Sequence, residues 1–371
     1  MAAGKVLLAR AVGLALGALI VAAPSLASSQ AKSAPPARAR AASPKPAGVG
    51  SWIPATSVDF SSKHDVWIQN MDGTLSRMDE PFFQSRPIAP GAWQILSEGD
   101  YWYLVEGDKT AMLIDAGQGS GNPRAYAQTL TRKPVRYVAN THFHFDHTAN
   151  DGYFDRAYMS EGTKKGLPAP TGSFAGVAWP TGYPIEVIGD GYRFQLGNRE
   201  LEAIMLGNHT PGGTAYLDRK QRILFSGDEI MGQQGMRLNV SVEQFEKLME
   251  KLAAHRSEYD RLCAGWEILD AEWVDRYLAL ARYILAGHEG VPVAQAPPAP
   301  RPNGWKDNSS APVDAKGQRI FFRHVPRNGG GIPPLPTPGQ PPAPVSAGND
   351  NMLRMTYGGA TITYDRTKIR G

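Results

Sequence analysis

Six consecutive residues, His142-Phe143-His144-Phe145-Asp146-His147, constrain this chain more than any other stretch. Three of its eight histidines and one acid share a window at a spacing that chance seldom gives and that suits metal ligation. On extended backbone, residues i and i+2 project to the same side, so His142 and His144 converge on one point while Phe143 and Phe145 turn towards a core. The chain must then turn for Asp146 and His147 to aim at a second point nearby. Imidazoles and a carboxylate, with no thiolate, suit Zn2+, with iron or manganese as alternatives. A strand-like run at 135–140 leads straight into this window.

Two later segments offer the same chemistry. The turn Gly207-Asn208-His209-Thr210-Pro211-Gly212-Gly213 ends a strand and supplies His209 as a further imidazole. Phe225-Ser226-Gly227-Asp228-Glu229 then places Asp228 directly after an apolar strand. The spacing predicts further strands at 101–105, 111–115, 184–188, 193–196, 200–206, 215–217 and 222–225, and a helix over 123–130. A capping box of Ser241 and Gln244 predicts a helix with Val242, Phe245, Leu248 and Leu252 on one face. Asp270 is expected to cap a last helix whose apolar side is Trp273, Val274, Tyr277, Leu278, Ala281 and Ile284, with Gly287 just past its end. Strands in runs with helices between them indicate a layered α/β or α+β fold.

The ends of the chain read differently. Lys5 and Arg10 precede a thirteen-residue apolar run, 11–23, and Pro24-Ser25-Leu26-Ala27 offers small residues for cleavage after Ala27. Thirteen residues fall short of the roughly 20 needed to span a bilayer, so 1–27 is expected to be a signal peptide and the mature protein periplasmic or secreted, with no membrane span. An Ala/Pro-rich linker at 28–51 and an N-terminal extension at 52–90 follow, then a catalytic domain at 91–290 and a Pro/Gly-rich C-terminal extension at 291–371 with one or two edge strands, one at 319–325 and an edge strand or hairpin at 352–364. All six charges of residues 1–50 are basic, so the rest of the chain is net −2 within the total of +4 and carries no electrostatic footprint for nucleic acid. One cysteine, Cys263, excludes an internal disulfide framework. The expected partner is a small-molecule substrate.

The series Leu113-Ile114-Asp115-Ala116-Gly117, then HxHxDH, NHTPGG and SGD resembles the metallo-β-lactamase superfamily over about residues 90–290. The resemblance implies a four-layer αββα sandwich with two metal ions, most often zinc, at one edge between the sheets. Carried over, His142, His144 and His209 hold the first ion, Asp146 and His147 help to hold the second, and Asp228 bridges the two. Asp115 matches the acid that orients a ligand histidine. A water between the ions supplies the nucleophile, and the catalytic residues are Asp146 and Asp228.

The chain departs from that pattern at one place. Trp266, in Leu262-Cys263-Ala264-Gly265-Trp266-Glu267, stands where the family's last histidine is expected, and an indole nitrogen cannot ligate a metal. Glu267, His255 and His288 are the conceivable substitutes. The expected function is metal-dependent hydrolysis of an ester, thioester, lactone or amide. The alternatives are a β-lactam hydrolase, a single-iron sulfur dioxygenase, and a non-catalytic metal-binding protein with an impaired second site.

Overall fold

Residues Ala111–Ile114 are apolar at every position and all four are buried, because the strand they form is covered on both faces. That strand lies within a seven-stranded sheet of β1 (Gln84–Ala89), β2 (Ala92–Ser97), β3 (Asp100–Glu106), β4 (Ala111–Ile114), β5 (Val135–Ala139), β6 (Arg156–Met159) and β7 (Ile185–Val187), ordered as in the chain. The first four strands are mutually antiparallel and the last three run parallel to β4. A six-stranded sheet follows, again in chain order: β8 (Arg193–Gln195), β9 (Glu200–Met205), β10 (Thr214–Asp218), β11 (Ile223–Gly227), β12 (Arg261–Ala264) and β13 (Ile268–Asp270).

The computed structural model describes residues 48, 50, 66–69, 75–77, 83–97, 100–117, 122–167, 182–232, 235–293, 321–324 and 351–371, all within the unit Lys45–Gly371. The apolar leader, the cleavage point, all of the linker but residues 48 and 50, and most of 52–82 and 294–350 lie outside the described residues. So does the side chain of Phe145.

Alternation along the strands sorts the core into layers. Met112 and Ile114 point between the sheets, where they join Tyr103, Phe225, Tyr216 and Cys263. Leu113 points the other way and packs with Trp102, Val138 and Tyr126, the last from α1 (Pro123–Leu130). On the outer face of the six-stranded sheet, Leu217, Leu224 and Leu262 pack under α4 (Val242–Ala254) and α5 (Glu272–Leu285). Helix, sheet, sheet, helix is the expected αββα order. Each fully buried Leu or Phe contributes about 1.5–3 kcal/mol relative to exposure.

The capping box of Ser241 and Gln244 forms as the sequence predicts. The start of α5 differs: Ala271 is its N-cap, and the Asp270 carboxylate accepts the Glu272 N–H from one residue further out, at 2.9 Å. Past the end of that helix Gly287 takes φ +101. The strand Gln84–Ala89 lies in the stretch read as an extension, yet it forms one edge of the seven-stranded sheet; Pro87 and Pro90 hide its period. The tail forms the hairpin among its expected alternatives: Met352–Tyr357 and Ala360–Asp365 pair antiparallel as the two central strands of a four-stranded sheet, flanked by Met236–Arg237 and Val291–Pro292, so neither lies at its edge. Their Leu353, Ile362 and Tyr364 complete the core beneath α4 and α5. Phe321–His324 pairs instead with Val66–Gln69 in a separate three-stranded sheet.

One buried ion pair ties the two sheets together. Arg199, in the turn between β8 and β9, pairs with Asp218 at the end of β10, the side chains being 2% and 0% exposed. Its Nη1 also donates to the carbonyls of Gly91 (2.5 Å) and Glu106 (2.9 Å) in the first sheet. No helix among the described residues is long and apolar enough to cross a membrane.

Candidate metal centre

Strand β4 runs parallel to β5, and β11 to β12, and the four release their C-terminal ends at one rim. Each end carries a residue of the histidine-acid set or one beside it: Asp115 after β4, His142 after β5, Asp228 after β11 and Trp266 after β12. The turn after β9 adds His209. The backbone then turns as the HxHxDH spacing requires, because Phe145–Thr148 forms a single helical turn, α2, that swings Asp146 and His147 round.

Two groups of side chains result. His142, His144 and His209 form one, and His142, His147 and Asp228 the other, each with ligand-type atoms within 4.8 Å of one another. His144 Nδ1 lies 3.0 Å from His142 Nε2 and 3.1 Å from His209 Nε2. A tetrahedral zinc with Zn–N bonds of about 2.0–2.1 Å sets its nitrogen ligands about 3.3 Å apart, close to this spacing. Asp228 straddles the groups: Oδ1 faces His147 Nε2 at 3.8 Å and Oδ2 faces His209 Nε2 at 3.6 Å. Asp146 Oδ2 stands 3.7 Å from His147 Nε2. The structure therefore brings together all six residues singled out as metal-type in the sequence.

Burial and neighbouring charges shift the titrating groups of both sets. Burial holds His142 well below the usual imidazole range and lowers His209 to about 4, with neighbouring imidazoles acting in the same direction. His144 is lowered by burial as well. These shifts favour the neutral imidazole, the form that offers a lone pair. For His147 burial acts downward too, but Asp115, Asp146 and Asp228 outweigh it and raise the pKa. Burial lifts Asp228 to about 6, while the Trp266 indole N–H facing it acts in the opposite direction. His147 Nε2 and Asp228 Oδ1 are both buried with no hydrogen-bond partner. Buried polar atoms left open in this way require an explanation. A divalent ion between them supplies it, so the donor set fits a metal.

Three residues fix the ligands from behind. Asp115 sits at φ +62, a left-handed conformation that Asp tolerates better than most residues. From there Oδ2 meets His147 Nδ1 at 2.9 Å and accepts the Thr141 hydroxyl at 2.8 Å, while Oδ1 accepts the Thr141 N–H at 2.7 Å. Thr141 Oγ1 in turn lies 3.0 Å from His142 Nδ1, so one carboxylate sets two imidazoles, one directly and one through a hydroxyl. Gly227, at φ +49, makes this possible: a Cβ there would collide with the Thr141 side chain. Asn140 donates to the His147 carbonyl at 3.1 Å and to Asp151 at 3.0 Å, anchoring the loop. Thr141, Asn140 and Glu229 were not singled out in the sequence; the signal for each was a polar side chain at the end of an otherwise apolar strand.

A family model described as the metallo-beta-lactamase superfamily matches residues 99–250. Over that stretch the chain matches the metallo-β-lactamase superfamily. Among similar proteins, human acyl-coenzyme A thioesterase MBLAC2 is 27% identical over 161 residues, covering 34% of this chain and 57% of the human protein. Thioesterase pkgB of Emericella nidulans is 26% identical over 149 residues, covering 38% of each chain. These matches thus span only part of the relatives' length. Among solved structures, a metallo-beta-lactamase from Pontibacter korlensis aligns with a TM-score of 0.43 at 18% identity, covering 54% of this chain and 99% of that one. The metallo-β-lactamase fold implies divalent metal binding, and the clustered imidazoles and Asp228 are where this chain provides for it.

Within that superfamily's pattern, the place of the last histidine stays with Trp266, half-buried beside Asp228. None of the three conceivable substitutes replaces it. The Glu267 carboxylate turns to the loop after β11 and accepts the Gly232 N–H at 2.7 Å. His255 ends α4 and pairs with Glu258 at 3.3 Å. His288 is exposed beyond α5 and stacks on Tyr283, ring centroids 3.7 Å apart.

Proposed function

We propose that this chain is an exported, zinc-dependent hydrolase of ester or thioester bonds, with lactones and amides in the same chemical class and β-lactams ranked after them. The observation that carries the reading is Asp228, whose two oxygens face the two imidazole groups at 3.6 and 3.8 Å. A carboxylate so placed suits two neighbouring cations. His142, His144 and His209 would hold the first ion, and Asp146, His147 and Asp228 the second. When bound, such ions make a water nucleophilic at neutral pH and polarise the carbonyl under attack. The residues behind them keep the donors in place: Asp115 holds His147 and, through Thr141, His142. The names of the human and fungal relatives support placing thioesters first. The leader at 1–27 supports export to the periplasm or beyond.

A panel of acyl-thioesters, aryl esters, lactones and β-lactams, assayed with and without chelator, tests this reading. Thioesters or esters should turn over fastest, activity should vanish on chelation, and added zinc should restore it. Hydrolysis indifferent to chelation contradicts the proposal, and turnover confined to β-lactams reverses the substrate order.

Trp266 favours an unequal centre, in which the second ion has one protein ligand fewer and exchanges more readily. Trp266→His should therefore raise the second ion's occupancy towards one per chain, measured by metal analysis after gel filtration. Equal occupancy in the variant and the parent would show that the second site is complete without it.

A further inference from the structure

Strand β11 ends in two consecutive carboxylates that point apart. Asp228 enters the metal centre, and Glu229, 2% exposed, turns to the turn that carries His209. There its Oε2 accepts the N–H of Asn208 at 2.8 Å, both oxygens accept that of His209 at 3.1 Å, and Oε1 accepts that of Thr210 at 3.4 Å. Successive N–H groups converging in this way form a nest for acceptor oxygens, and here the carboxyl group is the chain's own. The fit is close, since a Cβ on Gly213 would collide with the Glu229 carboxylate. The far side of the turn is held by Asn239, whose Nδ2 donates to the His209 carbonyl at 2.8 Å. No other described contact fixes the backbone of His209 itself.

We infer that Glu229 is the positioning residue for His209: by clamping three successive amides it fixes the backbone from which the third imidazole of the first metal group projects. The inference rests on the proposed reading of that group as a zinc site. Its hydrogen bonds go to the amides of Asn208, His209 and Thr210, so it acts on the imidazole through the turn that carries it. Its removal loosens one ligand of three, and losses of about 10- to 100-fold in metal affinity are usual when a ligand's outside support is removed.

The test is a double-mutant cycle on zinc affinity, measured by competition with a chromophoric chelator, for the full chain and its Glu229→Gln, His209→Ala and combined variants. Gln keeps the shape of Glu229 but replaces one acceptor with a donor facing an N–H. Glu229→Asp, which keeps the charge and shortens the reach, is the second variant, and the melting temperature of each metal-free protein reports folding. Glu229→Gln should weaken zinc binding about 10-fold or more in the parent and have no effect on it in the His209→Ala background. An equal effect in both backgrounds, or parental zinc affinity for both Glu229 variants when His209→Ala has lost it, would overturn the inference alone. Failure of the parent to bind zinc would overturn the reading of the centre and this inference with it.

Discussion

Replacing His142 and His144 together with alanine should reduce bound divalent metal to a trace and bring hydrolysis down to the uncatalysed rate. The expectation follows from where the two rings sit. His142 belongs to both groups, so its loss damages both at once. His144 Nδ1 is the atom that both other imidazoles of the first group face, at 3.0 and 3.1 Å. Only His209 would remain of that group. A ligand at 100 times its dissociation constant adds about 2.7 kcal/mol of stability, so zinc should raise the parent's melting temperature by a few degrees. The double variant should melt at the same temperature with and without zinc. Retained metal together with retained turnover would remove the basis for assigning the site.

The second large effect lies away from the rim. Arg199→Met should cost about 3–5 kcal/mol of folding stability, the usual consequence of leaving a buried charge without its partner. Asp218, 0% exposed, would be left without its partner, and the carbonyls of Gly91 and Glu106 would lose their donor. The same change combined with Asp218→Leu should recover most of the loss, because an apolar pair is often as stable as a buried ionic one. Urea unfolding of the three variants against the parent reads both effects. A single variant within about 1 kcal/mol of the parent would mean that solvent reaches the pair.

Much of the site was legible because its residues are local in sequence. HxHxDH concentrates four metal-type side chains on one strand end and one helical turn, and a spacing rule is enough to aim them. The capping box of α4 was legible for the same reason: both its partners lie within four residues. What escaped the sequence depends on contacts across long separations. Glu229 looks like a spare acid until the turn twenty residues earlier folds onto it. The tail at 352–364 reads as an edge strand or hairpin; the hairpin forms, but its central place depends on Met236–Arg237 and Val291–Pro292 on either side. Asp270 misled as a cap because its carboxylate does serve the start of α5, one residue further out than a cap stands.

Trp266 shows the opposite balance. The sequence marks the missing histidine, but only the structure shows Glu267 turned to Gly232, His255 paired with Glu258 and His288 stacked on Tyr283. Each has another partner, and the centre is left with six metal-type residues.

Metal content per chain, by mass spectrometry of protein purified without chelator, tests the central claim most directly. One firmly held divalent ion per chain, with a second at less than full occupancy, is the result expected of His142, His144 and His209 backed by an incomplete second set. Protein that carries no divalent metal and takes up none when zinc is supplied would contradict it.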